Sequence, residues 1–252
     1  MTAPRRALLE ICAASVTDVL EAESAGADRV ELNSAMLLGG LTPSPGCLQL
    51  TLERATIPVI AMARPRASGF CYSNTEFETL LRDVHWLIEG GVAGIAFGVL
   101  DSRGAVDVAR TRQVVAAIGP ERDAVFHRAF DLAPDHVEAL ETLIECQVRR
   151  VMTSGGQATA MQGSAAIQRL VQQAGDRIEI LAAGGIRSDH VRELLDCTGV
   201  GQVHAGPSAW TMDKSWREGC PVNLYGIPPD HPGHFRRGSP QAMQDLLAAL
   251  EG

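Results

Sequence analysis

One short pattern recurs along the 252-residue chain: the end of a helical stretch, a Gly or polar residue, a small apolar residue, then a brief β-branched run. Its instances are AGADRVEL (25–32), GGVAGIAF (90–97), CQVRRVMT (146–153) and TGVGQVHA (198–205). Gly after a helix supplies the left-handed position that ends it, and the run behind it has strand chemistry. A repeated helix-to-strand joint implies parallel strands linked by crossover helices, because a tight hairpin cannot join parallel neighbours. Counting outward gives eight strands, at 8–12, 29–33, 59–63, 94–97, 124–127, 150–153, 178–183 and 202–205. Between them, Ser15 with Asp18, then Asn74, Pro134 and Ser188, mark helix starts. The fold class that follows is α/β, a single (β/α)8 TIM barrel over residues 1–252, with a long loop at 206–238 before a final helix at 240–250. An open doubly wound sheet is the rival. No G-x-G-x-x-G follows the first strand, so no nucleotide cofactor is expected.

A net charge of −8 argues against nucleic acid or an anionic membrane as the main partner, because both need a basic surface. No apolar run reaches the roughly 20 residues that span a bilayer. The stretch after Arg5 and Arg6 superficially resembles a signal peptide, but Glu10 interrupts it and it reads as the first strand. Six cysteines are scattered without a C-x-x-C, and a chain of this size needs no disulfide framework. Reduced thiols in the cytoplasm are the expectation.

Strand residues two apart share a face, so Glu10 pairs with Cys12, Glu31 with Asn33, Met62 with Arg64 and Val125 with His127. Each polar residue lies near the C-terminal end of its strand, where barrels of this kind build their active sites. Glu10, Glu31, Arg64 and His127 are therefore the candidate catalytic ring. Two neighbouring carboxylates in a low-dielectric mouth push one pKa up and open an acid/base division of labour. The bland alternatives are a structural ion-pair network between Glu10, Glu31 and Arg64 or Arg128, and a satisfied core histidine at 127. Arg64, held extended by Pro65, suits a bound anion.

A second constellation is TSGG (Thr153, Ser154, Gly155, Gly156) after the sixth strand and AAGGI (182–186, with Gly184 and Gly185) after the seventh, joined by His204 at the end of the eighth. Glycines there let backbone N–H groups approach an anion, and such barrels often hold phosphate after strands seven and eight. Tight turning alone is the competing explanation. GGLTPSPG (39–46) and ARPRASGFCYS (63–73) supply long loops on the same face. His231-x-x-His234 reads as a loop feature. Cys12 faces the ring, and with Met62 or Met36 it offers the soft donors that Cu(I) prefers; a buried, inert cysteine is the commoner role.

The motifs EIC (10–12), AGADRVEL, GGLTPSPG, RPR (64–66), FHRAFD (126–131), ETLIE (141–145), RVMTSGGQ (150–157) and RIEILAAGGI (177–186) together resemble the copper homeostasis protein CutC family over nearly all of residues 8–205. The resemblance implies a TIM barrel, a cytoplasmic location, a role in copper homeostasis and a homo-oligomer. It also implies copper ligation by cysteines at the ends of the first two strands. The first is Cys12 here, but the second position is Asn33, and the family's HGS reads HAGPS (204–208). Two functions follow as expectations, with either Cu(I) or a small anionic ligand as the partner. One is cytosolic copper binding or handling with Cys12 as the leading ligand. The other is a lyase, isomerase or aldolase-like enzyme acting on a phosphorylated or carboxylated small molecule, with Glu10 or Glu31 moving the proton, His127 assisting and Arg64 clamping the anion. A scaffold without chemistry is the third option.

Overall fold

The computed structural model describes residues 6–218 and 230–251. Eight parallel strands close into a barrel: β1 (Leu8–Ala13), β2 (Arg29–Leu32), β3 (Val59–Met62), β4 (Gly94–Phe97), β5 (Asp123–Phe126), β6 (Arg150–Thr153), β7 (Glu179–Ala183) and β8 (Gln202–Ala205), with β8 pairing back onto β1. The helices between them are α1 (Val16–Ala25), α2 (Pro45–Arg54), α3 (Asn74–Gly90), α4 (Val108–Ile118), α5 (His136–Glu145), α6 (Ser164–Ala174) and α7 (Val191–Thr198). Gly26, Gly91 and Gly199 end their helices in the left-handed conformation, so the recurrent joint in the sequence is the helix stop that it spells.

Ser15 caps α1 by accepting the Asp18 N–H, as its signal reads, whereas the other three helix starts shift by one to three residues. Ser73, rather than Asn74, caps α3 through a reciprocal box with Glu76. Asp135 caps α5, and a turn over Ser188 precedes α7, which begins at Val191. The connection after β8 also differs from a plain loop. Within it, β9 (Ser208–Met212) and β10 (His234–Gly238) form an antiparallel ribbon. Asp18 on α1 anchors the ribbon by accepting from Gly238 N. The final helix, α8 (Pro240–Glu251), buries Met243, Leu246, Leu247 and Leu250 at helical spacing against α1 and α7.

The main core lies between the strands and the helix ring, where Leu9, Ile11, Val30, Leu32, Phe97, Phe126 and Val203 are fully buried. Alternate strand residues turn into the barrel. Ile60, Met62, Ala96 and Val125 form one interior apolar cluster, and Met152, Leu181 and Ala183 another. The rest of the interior is polar, which is unusual for a packed barrel and directs attention to it.

Candidate functional site

Two polar layers lie inside the barrel. The deeper one is a charge network. Arg29 donates through Nε to the Glu10 carboxylate and through an Nη to Gln202 Oε1 at 2.6 Å. Arg150 donates to Glu179 and to Asp123, both at 2.8 Å. The register explains the first contact, because Glu10 stands opposite Arg29 on β2 and His204 on β8. His204 Nδ1 lies 2.8 Å from the other Glu10 oxygen. Burial pushes the Glu10 carboxyl up, but the His204 hydrogen bond and the Arg29 charge outweigh it and hold the pKa at about 2. Of the four ring residues expected from the sequence, Glu10 is thus a buried member of the network, ionised at neutral pH, and it does not line the cavity that the other three share.

The upper layer opens to the mouth as a cavity of ≈ 180 Å³, and Glu31, Arg64, His127 and His204 all line it, as do Cys12 and Asn33. Cys12 Sγ sits 3.8 Å from Glu31 Oε2 and 3.8 Å from Met36 Sδ. Asn33 Nδ2 donates to Glu31 Oε2 at 2.8 Å and lies 3.5 Å from Cys12 Sγ. His204 Nε2 is 3.9 Å from the same Glu31 oxygen. Burial, joined by the Glu10 charge, pushes the Glu31 carboxyl up past the opposing pull of His204. Burial likewise pushes the Cys12 thiol up. His204 moves the other way: burial opposes its charge, but the Glu31 charge and the bonds to Cys12 and Glu10 raise it well above the ordinary imidazole value. The two carboxyls expected to divide their labour are indeed driven apart.

His127 follows β5 and caps a short 3-10 turn, Arg128–Leu132, by accepting Ala129 N–H at Nδ1 (3.1 Å). An imidazole accepting at Nδ1 carries its proton on Nε2. Burial, then the nearby Arg64 charge, hold its pKa down at about 3, so the ring is neutral. It leans on Phe70, with centroids 4.8 Å apart. Arg64 is committed elsewhere. Its Nη1 donates to the Leu38, Gly39 and Gly40 carbonyls at 2.8–3.1 Å, and its Nη2 to Ser68 O at 2.7 Å. The guanidinium therefore ties the loop after β2 to the loop after β3, and it reaches the cavity as a charge with its Nη groups already bonded.

The glycine loops also differ from a ready-made anion cradle. Asp131 accepts from Thr153 Oγ1 (2.6 Å), Ser154 N (3.0 Å), Ser154 Oγ (3.0 Å), Gly156 N (3.2 Å) and Arg128 Nε (2.8 Å). Gly155 N donates to Thr153 Oγ1 at 2.8 Å. An internal carboxylate thus occupies the place expected for a ligand anion. Tightness is real at Gly155, where φ is +70° and an added Cβ would stand 2.4 Å from Gly163 O. Gly184 and Gly185 are left-handed too, Gly184 packing near Ser154 and Arg128, and Gly185 near Thr159. Asp131→Ala leaves buried donors unpaired, so it is expected to cost about 2–3 kcal/mol and to speed amide exchange at residues 154–156. Unchanged exchange there would contradict this role for Asp131. Arg29 and Asp131 are site residues that sequence reasoning missed, and Arg128, expected as a partner of Glu10 or Glu31, pairs with Asp131 instead; the i, i+3 spacing of Arg128 and Asp131 in FHRAFD was the available signal.

Among the described residues, Cys12, Glu31 and His204 form a group of potential metal donors whose ligand atoms all lie within 4.8 Å of one another. The family model described as "CutC family" matches residues 7–209. A CutC family protein of Treponema denticola is 45% identical over 196 residues, covering 78% of this chain and 79% of its own. One of Mesorhizobium japonicum is 43% identical over 203 residues, covering 81% and 78%. A Streptococcus agalactiae crystal structure assigned as a copper homeostasis protein CutC superposes with a TM-score of 0.74 at 30% identity, over 79% of this chain and 97% of that one. An aldolase, QR15, superposes at 0.60 with 14% identity over 81% and 91%, a likeness of fold alone.

Proposed function

The chain belongs to the CutC family, and from that premise we propose that its barrel mouth takes up Cu(I) as cargo in copper homeostasis. The observation that carries this reading is the sulfur-rich wall of the cavity. Cys12 Sγ and Met36 Sδ are 3.8 Å apart, His204 stands beside them, and Met62 and Met152 line the same space. Thiolate and thioether are the donors that select Cu(I), and imidazole suits copper as well. Asn33, at the position where the family resemblance implies a second cysteine, holds Glu31 in place, so one thiol carries the load with Met36 and His204. Cytoplasmic residence, where thiols stay reduced, and self-association complete the proposal. The described cysteines Cys12, Cys47, Cys71, Cys146 and Cys197 are all free thiols, in keeping with such a compartment.

Anaerobic titration against a chromophoric Cu(I) chelator tests it. One equivalent bound per chain is expected, weakened at least about tenfold in Cys12→Ser. Asn33→Cys places a second thiol beside the first and is expected to tighten binding. The Cys12 thiol and the His204 imidazolium hold protons that copper must displace, so the apparent affinity rises with pH. A wild-type chain that never competes with even a weak chelator ends this reading.

A further inference from the structure

The mouth also holds polar atoms that a copper ion would leave unused. His127 Nε2 and Glu31 Oε1 are both buried, and neither has a hydrogen-bond partner among the described residues. Both side chains line the cavity. One is a donor, because Nδ1 accepts the Ala129 N–H and so places the ring proton on Nε2. The other is a carboxyl oxygen whose twin already receives Asn33 Nδ2. Buried polar groups are almost always paired, and an orphan donor and an orphan carboxyl oxygen on one cavity are the complement of a ligand carrying both functions.

Charge and shape narrow the ligand further. Arg64, which has no carboxylate partner among the described residues, brings a cationic group to the cavity beside Glu31, and Arg128 lines it with its charge paired to Asp131; the unpaired Arg64 charge favours an anion. Arg128 makes its bonds to Asp131, Ser154 and Gln157 through Nε and Nη2. Met62, Phe70 and Met152 supply apolar wall for a short carbon chain. At ~30 Å³ per water the space equals about six waters, room for a molecule of a few non-hydrogen atoms. Phosphate is disfavoured, because the N–H groups of Ser154 and Gly156 are already given to Asp131.

We propose that this cavity binds a small unphosphorylated hydroxycarboxylate, with a carboxylate oxygen on His127 Nε2–H and the hydroxyl on Glu31 Oε1. The reading does not rest on copper uptake: its contacts are His127 Nε2 and Glu31 Oε1 rather than Cys12, Met36 and His204, and metal-free protein tests it.

Lactate, propionate and inorganic phosphate are the probes, titrated into the metal-free chain while the His127 ring ¹⁵N resonances are followed. Lactate is expected to saturate and to shift Nε2, propionate to bind several-fold more weakly for want of the hydroxyl, and phosphate to leave the resonance unmoved. Two variants separate ligand contact from support of the turn. His127→Asn keeps an acceptor for Ala129 N–H but removes the cavity donor, and is expected to weaken lactate at least about tenfold. His127→Gln places an amide N–H near the Nε2 position and is expected to retain most of the affinity, although it sacrifices the cap. Failure of lactate to bind, phosphate binding as well as lactate, or His127→Asn outperforming His127→Gln would each overturn the proposal.

Discussion

Arg29→Leu is expected to lower the free energy of unfolding by about 3–5 kcal/mol, among the largest losses that any single substitution in this barrel would produce. Arg29 and Glu10 are 6% and 1% exposed, and they face each other across β1 and β2 with the guanidinium on the carboxylate. Removing the cation leaves a buried carboxylate with only His204 for company. The Glu10 carboxyl, held at about 2 in part by Arg29, must then rise. The size of the loss reflects an orphaned charge more than the worth of the pair. Replacing both partners by leucine is therefore expected to recover part of the loss, short of all, because His204 also loses its acceptor. The exposed Arg149–Glu179 pair supplies the control: Arg149→Leu is expected to change stability by under about 1 kcal/mol. Urea unfolding of the three variants measures all of this, and a loss below about 1 kcal/mol for Arg29→Leu would mean that the network is not what holds β1 to β2.

Sequence exposes this barrel because its joints are local. The helix-stopping glycines at 26, 91 and 199 and the strands behind them obey rules that act over a few residues, and each is where those rules put it. Period-two alternation then brought Cys12, Glu31, Asn33, Arg64 and His127 to one cavity. What stayed hidden depends on partners distant in the chain. The Gly-rich turn of TSGG reads as an anion cradle until Asp131, more than twenty residues upstream, is found sitting in it. Arg64 reads as an anion clamp until the 36–40 loop folds over and offers three carbonyls. Arg29 opens a strand and looks like an ordinary entry-point charge; only barrel closure aims it at Glu10 and Gln202. The ribbon of β9 and β10 was missed for a related reason. SAWTM and HFRRG are five-residue segments separated by a long connection, and neither alternates clearly enough to read as a strand alone.

These distant partners change the chemical meaning of the mouth. A ring of Glu, Arg and His with two glycine loops suggests phosphate chemistry when each residue is taken as free. With Asp131 filling the cradle and the Arg64 Nη groups spent on carbonyls, recognition falls, beside the buried Arg64 Nε and Asn33 Oδ1, chiefly to Cys12, Met36, Glu31, His127 and His204. Three of these offer soft or borderline donors, and two present unpaired polar atoms. A metal cargo and a small oxygenated anion can therefore be recognised by different atoms of one cavity.

Acid is expected to unfold this protein through His127. The folded chain keeps that imidazole neutral down to about pH 3, whereas the unfolded chain protonates it near its ordinary 6.5. The unfolded state therefore binds more protons, and stability falls as pH drops from 6.5 towards 3. A difference of that width corresponds to a ceiling of roughly 4–5 kcal/mol, at ~1.4 kcal/mol per unit. Glu10 adds its own loss at lower pH, between its ordinary 4.5 and about 2. Glu31 opposes the trend, since its raised pKa lets the folded state take a proton first as pH falls towards 4.5. His204, raised, contributes stability that is fully present below 6.5 and is lost only on the alkaline side, so it does not cause the acid limb. Between pH 6.5 and 4.5 the loss should then belong mainly to His127. Urea unfolding across that window separates it: the wild-type slope should exceed that of His127→Asn by up to ~1.4 kcal/mol per pH unit, the signature of one excluded proton. Parallel slopes would mean that His127 takes up its proton in the folded barrel, at Nδ1, and with it would go the acceptor that caps the Ala129 N–H.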